Sequence, residues 1–196
     1  INPGRKKCMY FVGSSDQDSS MDPIVSLFYT LVYQELVRYA DMRKDQQLPI
    51  TVHMVLDEYA NMGTIPDFEK RLSTVRSRNI VTYIILQDIN QLKKKHPLDS
   101  YKTVINDCDY FLLEKTNDID TMTWWSEMCG SMTVEDVNAR YSMDKSDALD
   151  FHNEETKTQT KTQRKTYNPD EIRKLGEKEI LVLVTQRDCL LYTSDA

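Results

Sequence analysis

Short apolar runs of strand length alternate along the chain with longer stretches in which apolar residues recur every three or four positions. That alternation marks βα units built around a mostly parallel sheet. The first run, Cys8-Met9-Tyr10-Phe11-Val12, is closed by Gly13 and a polar turn through Ser20. Asp22 can then cap a helix with Pro23 in its first position, and Ile24, Leu27, Phe28, Leu31, Leu36 and Tyr39 recur at helical spacing to an end near Arg43. Residues 50–56 are apolar apart from Thr51 and His53, which suits a central parallel strand buried on both faces, and the run stops at Asp57-Glu58. After the turn Asn61-Met62-Gly63, Pro66 opens a helix with Phe68, Leu72 and Val75 inward and Lys70, Arg71, Arg76 and Arg78 largely outward. Further strands are predicted at 80–86, 110–113 and 180–184, with helices at 89–95, from an Asp118 cap to Met128, and from Asn168-Pro169 onward. The rhythm breaks over 144–166, which reads as a polar loop or linker. There the alternation of Thr156, Thr158, Thr160 and Thr162 leaves an exposed edge ribbon open.

Composition narrows the chemistry. The chain has 196 residues, a net charge of −6 and 40% hydrophobic residues, enough for one soluble domain with a real core. Its five glycines are single and widely spaced, so there is neither a GxxxxGK[ST] phosphate loop nor a GxGxxG turn, and the chain cannot cradle a nucleotide phosphate in the usual way unaided. No apolar run approaches the roughly 18 to 20 residues of a membrane-spanning helix, and no signal peptide opens the sequence. Cys8, Cys108, Cys129 and Cys189 form no CxxC pair and His53, His96 and His152 are scattered, which disfavours a zinc site or a disulfide framework and suits small buried hydrophobes in a reducing compartment. The weakly acidic balance argues against a general nucleic-acid coat. Because the chain opens at Ile1, already close to a strand, it is expected to be a fragment.

The most informative feature is the apolar strand that delivers Asp57 and Glu58 at its C-terminal end, the edge where open α/β sheets bind ligands. A nucleotide-hydrolysing site needs one carboxylate to hold magnesium through its water shell, here Asp57, and a second to orient or deprotonate the attacking water, here Glu58. Taken alone, an apolar strand ending in an acidic turn is more often a solvated loop. Gln87 ends the neighbouring strand at the same edge, where its amide could sense a γ-phosphate or simply satisfy loop backbone. Arg76 and Arg78 end the intervening helix. Cations there are stabilising without further role, and they are also placed to reach a neighbouring subunit's nucleotide. Trp124 and Trp125 could stack bases, but one core anchor and one interface residue is the commoner arrangement. Lys93-Lys94-Lys95 reads as a solvated helix end, with contact to transported DNA as the alternative.

The block LDEYANMGTIPDFEKRLSTVRSRNIVTYIILQDINQL, residues 56–92, resembles the Walker B region of the type IV secretion coupling proteins, the VirD/TraG/TraD family of conjugation ATPases. A DE[FY]AN-x-G-x-IPD turn, an RSR segment and a strand ending in ILQ occur in the family's order. SSDQDSS, VINDCDYFLL and YNPDEIRKL extend the likeness over most of residues 8–186. The resemblance implies an α/β fold of RecA-like P-loop NTPase type, its sheet mostly parallel with helices on both faces, and a chain lacking the phosphate loop. It implies ATP and Mg2+, with Asp57 and Glu58 as the Walker B pair, Asp57 as the magnesium contact through water, Gln87 as the phosphate-sensing glutamine and Arg76 as the finger arginine, Arg78 being the second candidate. Asn61 and Asp67 match as turn formers, and Asp16 and Asp18 could approach the magnesium or a subunit boundary.

The same resemblance implies a homo-hexamer that hydrolyses ATP to move relaxase-bound single-stranded DNA into a type IV secretion channel. Its partners would be channel proteins, and it would sit on the cytoplasmic face of the bacterial inner membrane through N-terminal helices missing here. The expected organisation is a motor domain over 1–143, the polar segment 144–166, the domain's last helix and strand over 167–187, and a non-native or truncated tail over 188–196. This chain alone is expected to be inactive and without appreciable ATP affinity. The alternatives are a non-catalytic docking scaffold for secretion substrates, or another RecA-like ring translocase or helicase.

Overall fold

A computed structural model describes residues 10, 19–141, 155–185, 187 and 189–193. The first expected strand, apart from Tyr10, and Asp16, Asp18 and His152 lie outside the described residues. The chain divides into two compact units, Ile1–Phe111 and Leu112–Ala196.

In the first unit, helix α1 (Asp22–Asp41) starts one residue earlier than a cap at Asp22 would place it, with Met21 as the cap residue and Pro23 in the first turn. Val25, Tyr33, Leu36 and Ala40 bury its inner face. Strands β1 (Val52–Leu56) and β2 (Ile80–Ile84) pair in parallel, with Val52 opposite Ile80 and Leu56 opposite Ile84. Between them run α2 (Phe68–Val75) and a 3-10 turn (Arg76–Arg78), the crossover that a parallel pair requires. After β2 come α3 (Ile89–Lys95) and α4 (Ser100–Asn106). The last of these has a single buried apolar residue, Val104, and left no periodic trace in the sequence.

The expectation that β1 is buried on both faces, with helices covering both sides of the sheet, is corrected. Met54, Leu56 and Ile80 are buried, whereas Val55, Val81 and Tyr83 are 55%, 38% and 45% exposed. Successive strand residues point to opposite faces. The face toward α1 is closed, and the Tyr33 hydroxyl lies 3.0 Å from Thr82 Oγ1 there. The other face is partly exposed, and there the exposed His53 meets Tyr83, with Nδ1 3.1 Å from the phenol oxygen.

A three-stranded sheet has the order β3 (Tyr110–Leu113), β6 (Glu179–Val184), β7 (Leu190–Thr193), with β6 and β7 antiparallel. Helix α5 (Ile119–Met128) is capped by the Asp118 carboxylate, which accepts the Thr121 N–H at 2.8 Å, and it packs against the short α6 (Pro169–Arg173). Trp125 is buried and Trp124 half-buried, their rings edge to face at 5.7 Å, so the first of them is the core anchor. Over the second half of the polar segment the edge ribbon that the threonine alternation allows is the alternative that forms: β4 (Ser131–Tyr141) and β5 (Glu155–Lys165) make an eleven-residue antiparallel ribbon. Ribbon pairing satisfies backbone groups without needing a hydrophobic core. The sheets are therefore mixed rather than mostly parallel, only the first pair being parallel among those whose register is described. Residues 190–193, expected to be part of a non-native tail, pair with β6.

Candidate functional site at the carboxyl edge of the parallel pair

The parallel register sets the site. Beyond Leu56 and Ile84 the ladder continues for one more exchange, Ile85 N–H to the Leu56 carbonyl and Tyr59 N–H to the Ile85 carbonyl, each at 3.1 Å. The Asp57-Glu58 turn is thereby fastened to the segment ending in Gln87. Asp57 is exposed, and its Oδ1 accepts the Glu58 N–H at 3.1 Å. Glu58 adopts a left-handed backbone with φ 47°, uncommon for a side-chain-bearing residue, and its Oε2 accepts a hydrogen bond from Asn61 Nδ2 at 3.1 Å. Asn61 therefore does more than form the turn: it holds the candidate base. Asp67 also takes a left-handed backbone, φ 53°, immediately before α2, which is the turn-forming role expected of it.

Gln87 lies at the same edge, exposed, with its N–H donating to Gln91 Oε1 at 3.0 Å. Arg76 and Arg78 do not join this group. They precede β2, at the opposite end of the parallel pair, a strand of five residues and about 16 Å away along the chain direction. The two arginines differ. Arg78 is tied down, with Nε donating to Asp41 Oδ1 at 2.8 Å and a terminal nitrogen to the Thr74 carbonyl at 2.9 Å. Arg76 is 75% exposed and meets only the Asp109 carboxylate, at 3.2 Å, among the contacts described.

Behind the acidic turn lies a buried polar cluster that the sequence did not announce. Tyr59 is fully buried against Phe68, ring centroids 4.8 Å apart, and its hydroxyl sits 2.9 Å from His96 Nε2. His96 Nδ1 lies 2.6 Å from Glu69 Oε1. Burial, with the Glu69 charge second, pushes the Tyr59 phenol far up. Glu69 loses hydration on burial, but hydrogen bonds from backbone and from His96 outweigh that and hold its carboxyl below the usual range. Lys95 is no solvated helix end: it is half-buried, lies 4.7 Å over the Tyr59 ring and donates to the Ala60 and Met62 carbonyls. Burial lowers its pKa. A scattered histidine and one lysine in a run of three carry no periodic signal, so only folding reveals them.

For a metal, the described residues contain no group of three or more His, Cys, Asp or Glu side chains able to form a cage. A single exposed carboxylate, Asp57, suits Mg2+ held largely by water and substrate phosphates, the usual mode for that ion.

An open α/β unit presenting two carboxylates and an amide at the carboxyl edge of parallel strands belongs to the class of proteins that bind ligands at that edge. The chain belongs to the TraG/TraD family of type IV secretion coupling proteins: the family model described as the TraM recognition site of TraD and TraG matches residues 51–177, more than half of its length. The conjugal transfer protein TraG of Escherichia coli is 24% identical over 176 residues, covering 87% of this chain and 27% of TraG, so the chain spans about a quarter of that relative. The bacterial conjugative coupling protein TrwBdeltaN70, in its unbound monoclinic form, superposes with a TM-score of 0.70 at 16% identity, covering 90% of this chain and 38% of that one. The plasmid coupling protein TrwB in complex with ADP and Mg2+ gives a TM-score of 0.62 at 14% identity, over 89% of this chain and 37% of that one. These structural likenesses show a shared fold.

Proposed function

We propose that this chain is the Walker B half of a RecA-like motor domain, and that the parent protein hydrolyses ATP during conjugative DNA transfer. The observation that carries the reading is the placement of Asp57, Glu58 and Gln87 at one carboxyl edge, with Arg76 exposed at the other. Bound Mg2+ would neutralise phosphate charge as the terminal phosphate is transferred. Asp57 would hold that ion through its water shell. Glu58, steadied by Asn61, takes the proton of the attacking water, and Gln87 positions its amide toward the terminal phosphate. Arg76 is too far along the strands to serve its own edge, so it acts on the nucleotide of the next subunit in a ring. Arg78, already paired with Asp41, is structural.

In this reading the parent is a hexamer on the cytoplasmic face of the inner membrane that moves relaxase-bound single-stranded DNA toward the secretion channel. The nucleotide and Mg2+ bound by TrwB support ATP and Mg2+ as its ligands. A protein partner of the relaxosome is supported by the family description as a TraM recognition site. That description also favours a second reading, a docking module without catalysis. The chain by itself, without a phosphate loop, binds ATP too weakly to measure and is inactive.

The test is steady-state ATPase activity of the parent. Glu58→Gln is expected to lower kcat by about 100-fold or more while leaving ATP binding intact. Undiminished hydrolysis by the variant overturns the assignment of Glu58 as the base, and a parent without ATPase activity sinks the motor reading and leaves docking.

A further inference from the structure

Helix α3 touches the site with both ends. At its start, the Gln91 side chain accepts the Gln87 N–H at 3.0 Å and its amide reaches back to Gln87 Oε1 at 3.5 Å, so the first turn of α3 carries the candidate phosphate sensor. At its end, Lys95 donates to the Ala60 and Met62 carbonyls and covers the Tyr59 ring. His96 follows, only 5% exposed, with Nε2 2.9 Å from the Tyr59 hydroxyl and Nδ1 2.6 Å from Glu69 Oε1. An ionised carboxylate only accepts, so Nδ1–H donates to Glu69 and Nε2 is left to bond the Tyr59 hydroxyl. Glu69 belongs to the first turn of α2, the helix that leads to Arg76. Three segments thus converge on one buried imidazole: the turn after Glu58, the end of α3 and the start of α2.

Glu58 gives the convergence a purpose. A left-handed backbone at a residue with a side chain persists only where its surroundings over-determine it. The residue that follows it, Tyr59, is pinned by the Ile85 carbonyl from one side and by His96 and Lys95 from the other.

We infer that Lys95 and His96 are positioning residues, which hold the Tyr59–Met62 turn, and through it the Glu58 carboxylate, in register with Gln87 and with the helix leading to Arg76. This rests on the motor reading above. A histidine that merely fills the core would show no preference for which of its two hydrogen bonds survives, whereas a positioning histidine needs the one to Tyr59.

Two amide substitutions separate these cases in the parent protein. The amide of His96→Gln reaches the place of Nε2 and keeps the Tyr59 bond, while that of His96→Asn reaches the place of Nδ1 and keeps the Glu69 bond. Thermal midpoints of the two variants are expected to fall together. His96→Asn should lower kcat about 10-fold at unchanged ATP KM, whereas His96→Gln stays within about 3-fold of wild type. Tyr59→Phe should reproduce the His96→Asn loss, and the double variant should fall no further than either single one. Equal kcat losses in the two amide variants, no loss in either, or additive losses in the double variant would overturn the inference. Those outcomes bear on positioning alone, provided the wild type hydrolyses ATP and Glu58→Gln does not; a wild type without ATPase activity removes the motor reading and this inference together.

Discussion

Gly63 sits where the turn after the acidic pair passes the first turn of α1, and no side chain fits there. A Cβ would collide with the Asp22 carbonyl oxygen, lie 2.9 Å from the carbonyl carbon and come within 3.1 Å of Ser26 Cβ. The obstruction is helix backbone next to Pro23, which cannot swing aside as a side-chain tip can. In Gly63→Ala the turn and α1 must therefore separate, and the hydrogen bond from the Ser26 hydroxyl to the Thr64 carbonyl goes with the movement. Overpacking of this kind costs about 1–3 kcal/mol and the lost hydrogen bond about 1 kcal/mol, so the expected total is about 2–4 kcal/mol. With a urea m-value of about 1–3 kcal/mol per molar, the midpoint of unfolding followed by circular dichroism should drop by about 1–2 M. Two other glycines calibrate the measurement. At Gly176 the nearest atom to a Cβ is the flexible Glu179 carboxylate at 3.4 Å, so Gly176→Ala should stay within about 1 kcal/mol of wild type. At Gly130 there is open space but φ is 73°, and Gly130→Ala should cost about 1–2 kcal/mol through the backbone alone. A Gly63→Ala midpoint indistinguishable from that of Gly176→Ala would refute the close-approach argument.

Burial raises the Tyr33 phenol from its ordinary 10.0 to about 12, so the folded chain keeps a proton that the unfolded chain releases. Its contribution is complete below the unfolded pKa and is lost as pH rises from 10 toward 12. Tyr33→Phe should cost about 1 kcal/mol at neutral pH through the lost Thr82 contact and make the alkaline decline in denaturation midpoint shallower; an unchanged slope argues against it. Arg78→Ala should destabilise the chain by about 1–2 kcal/mol in thermal or urea unfolding, because its guanidinium is held by Asp41 and the Thr74 carbonyl. Arg76→Ala, at a mostly exposed site, should change stability by less than about 0.5 kcal/mol yet silence the neighbouring subunit in mixed assemblies of the parent; wild-type turnover in such mixtures counts against a finger role.

The elements with clear periodicity and end signals were legible in advance. The expected helix at 89–95 and strand at 110–113 coincide with α3 and β3, and the Asp118 cap opens α5 as expected. Elements without such signals are harder to read. Helix α4 buries one apolar side chain and shows no periodicity, while the threonine alternation of β5 allows an edge ribbon but does not reveal its partner, β4, across a polar segment. The acidic pair and Gln87 were readable because they end apolar runs, and strand ends in a parallel sheet share an edge.

Local chemistry along the chain was enough to specify which residue types stand at the ends of the apolar runs, and the likeness of the ordered block 56–92 to the coupling proteins pointed to membership of that family. It could not specify which of Arg76 and Arg78 is spent on structure, that Lys95 turns inward to the Ala60 and Met62 carbonyls, or that His96 joins Tyr59 to Glu69. Those outcomes depend on contacts between residues 27 to 37 positions apart. Periodicity reports only which face of an element is apolar, while the partner that meets a polar side chain is chosen by how the elements pack.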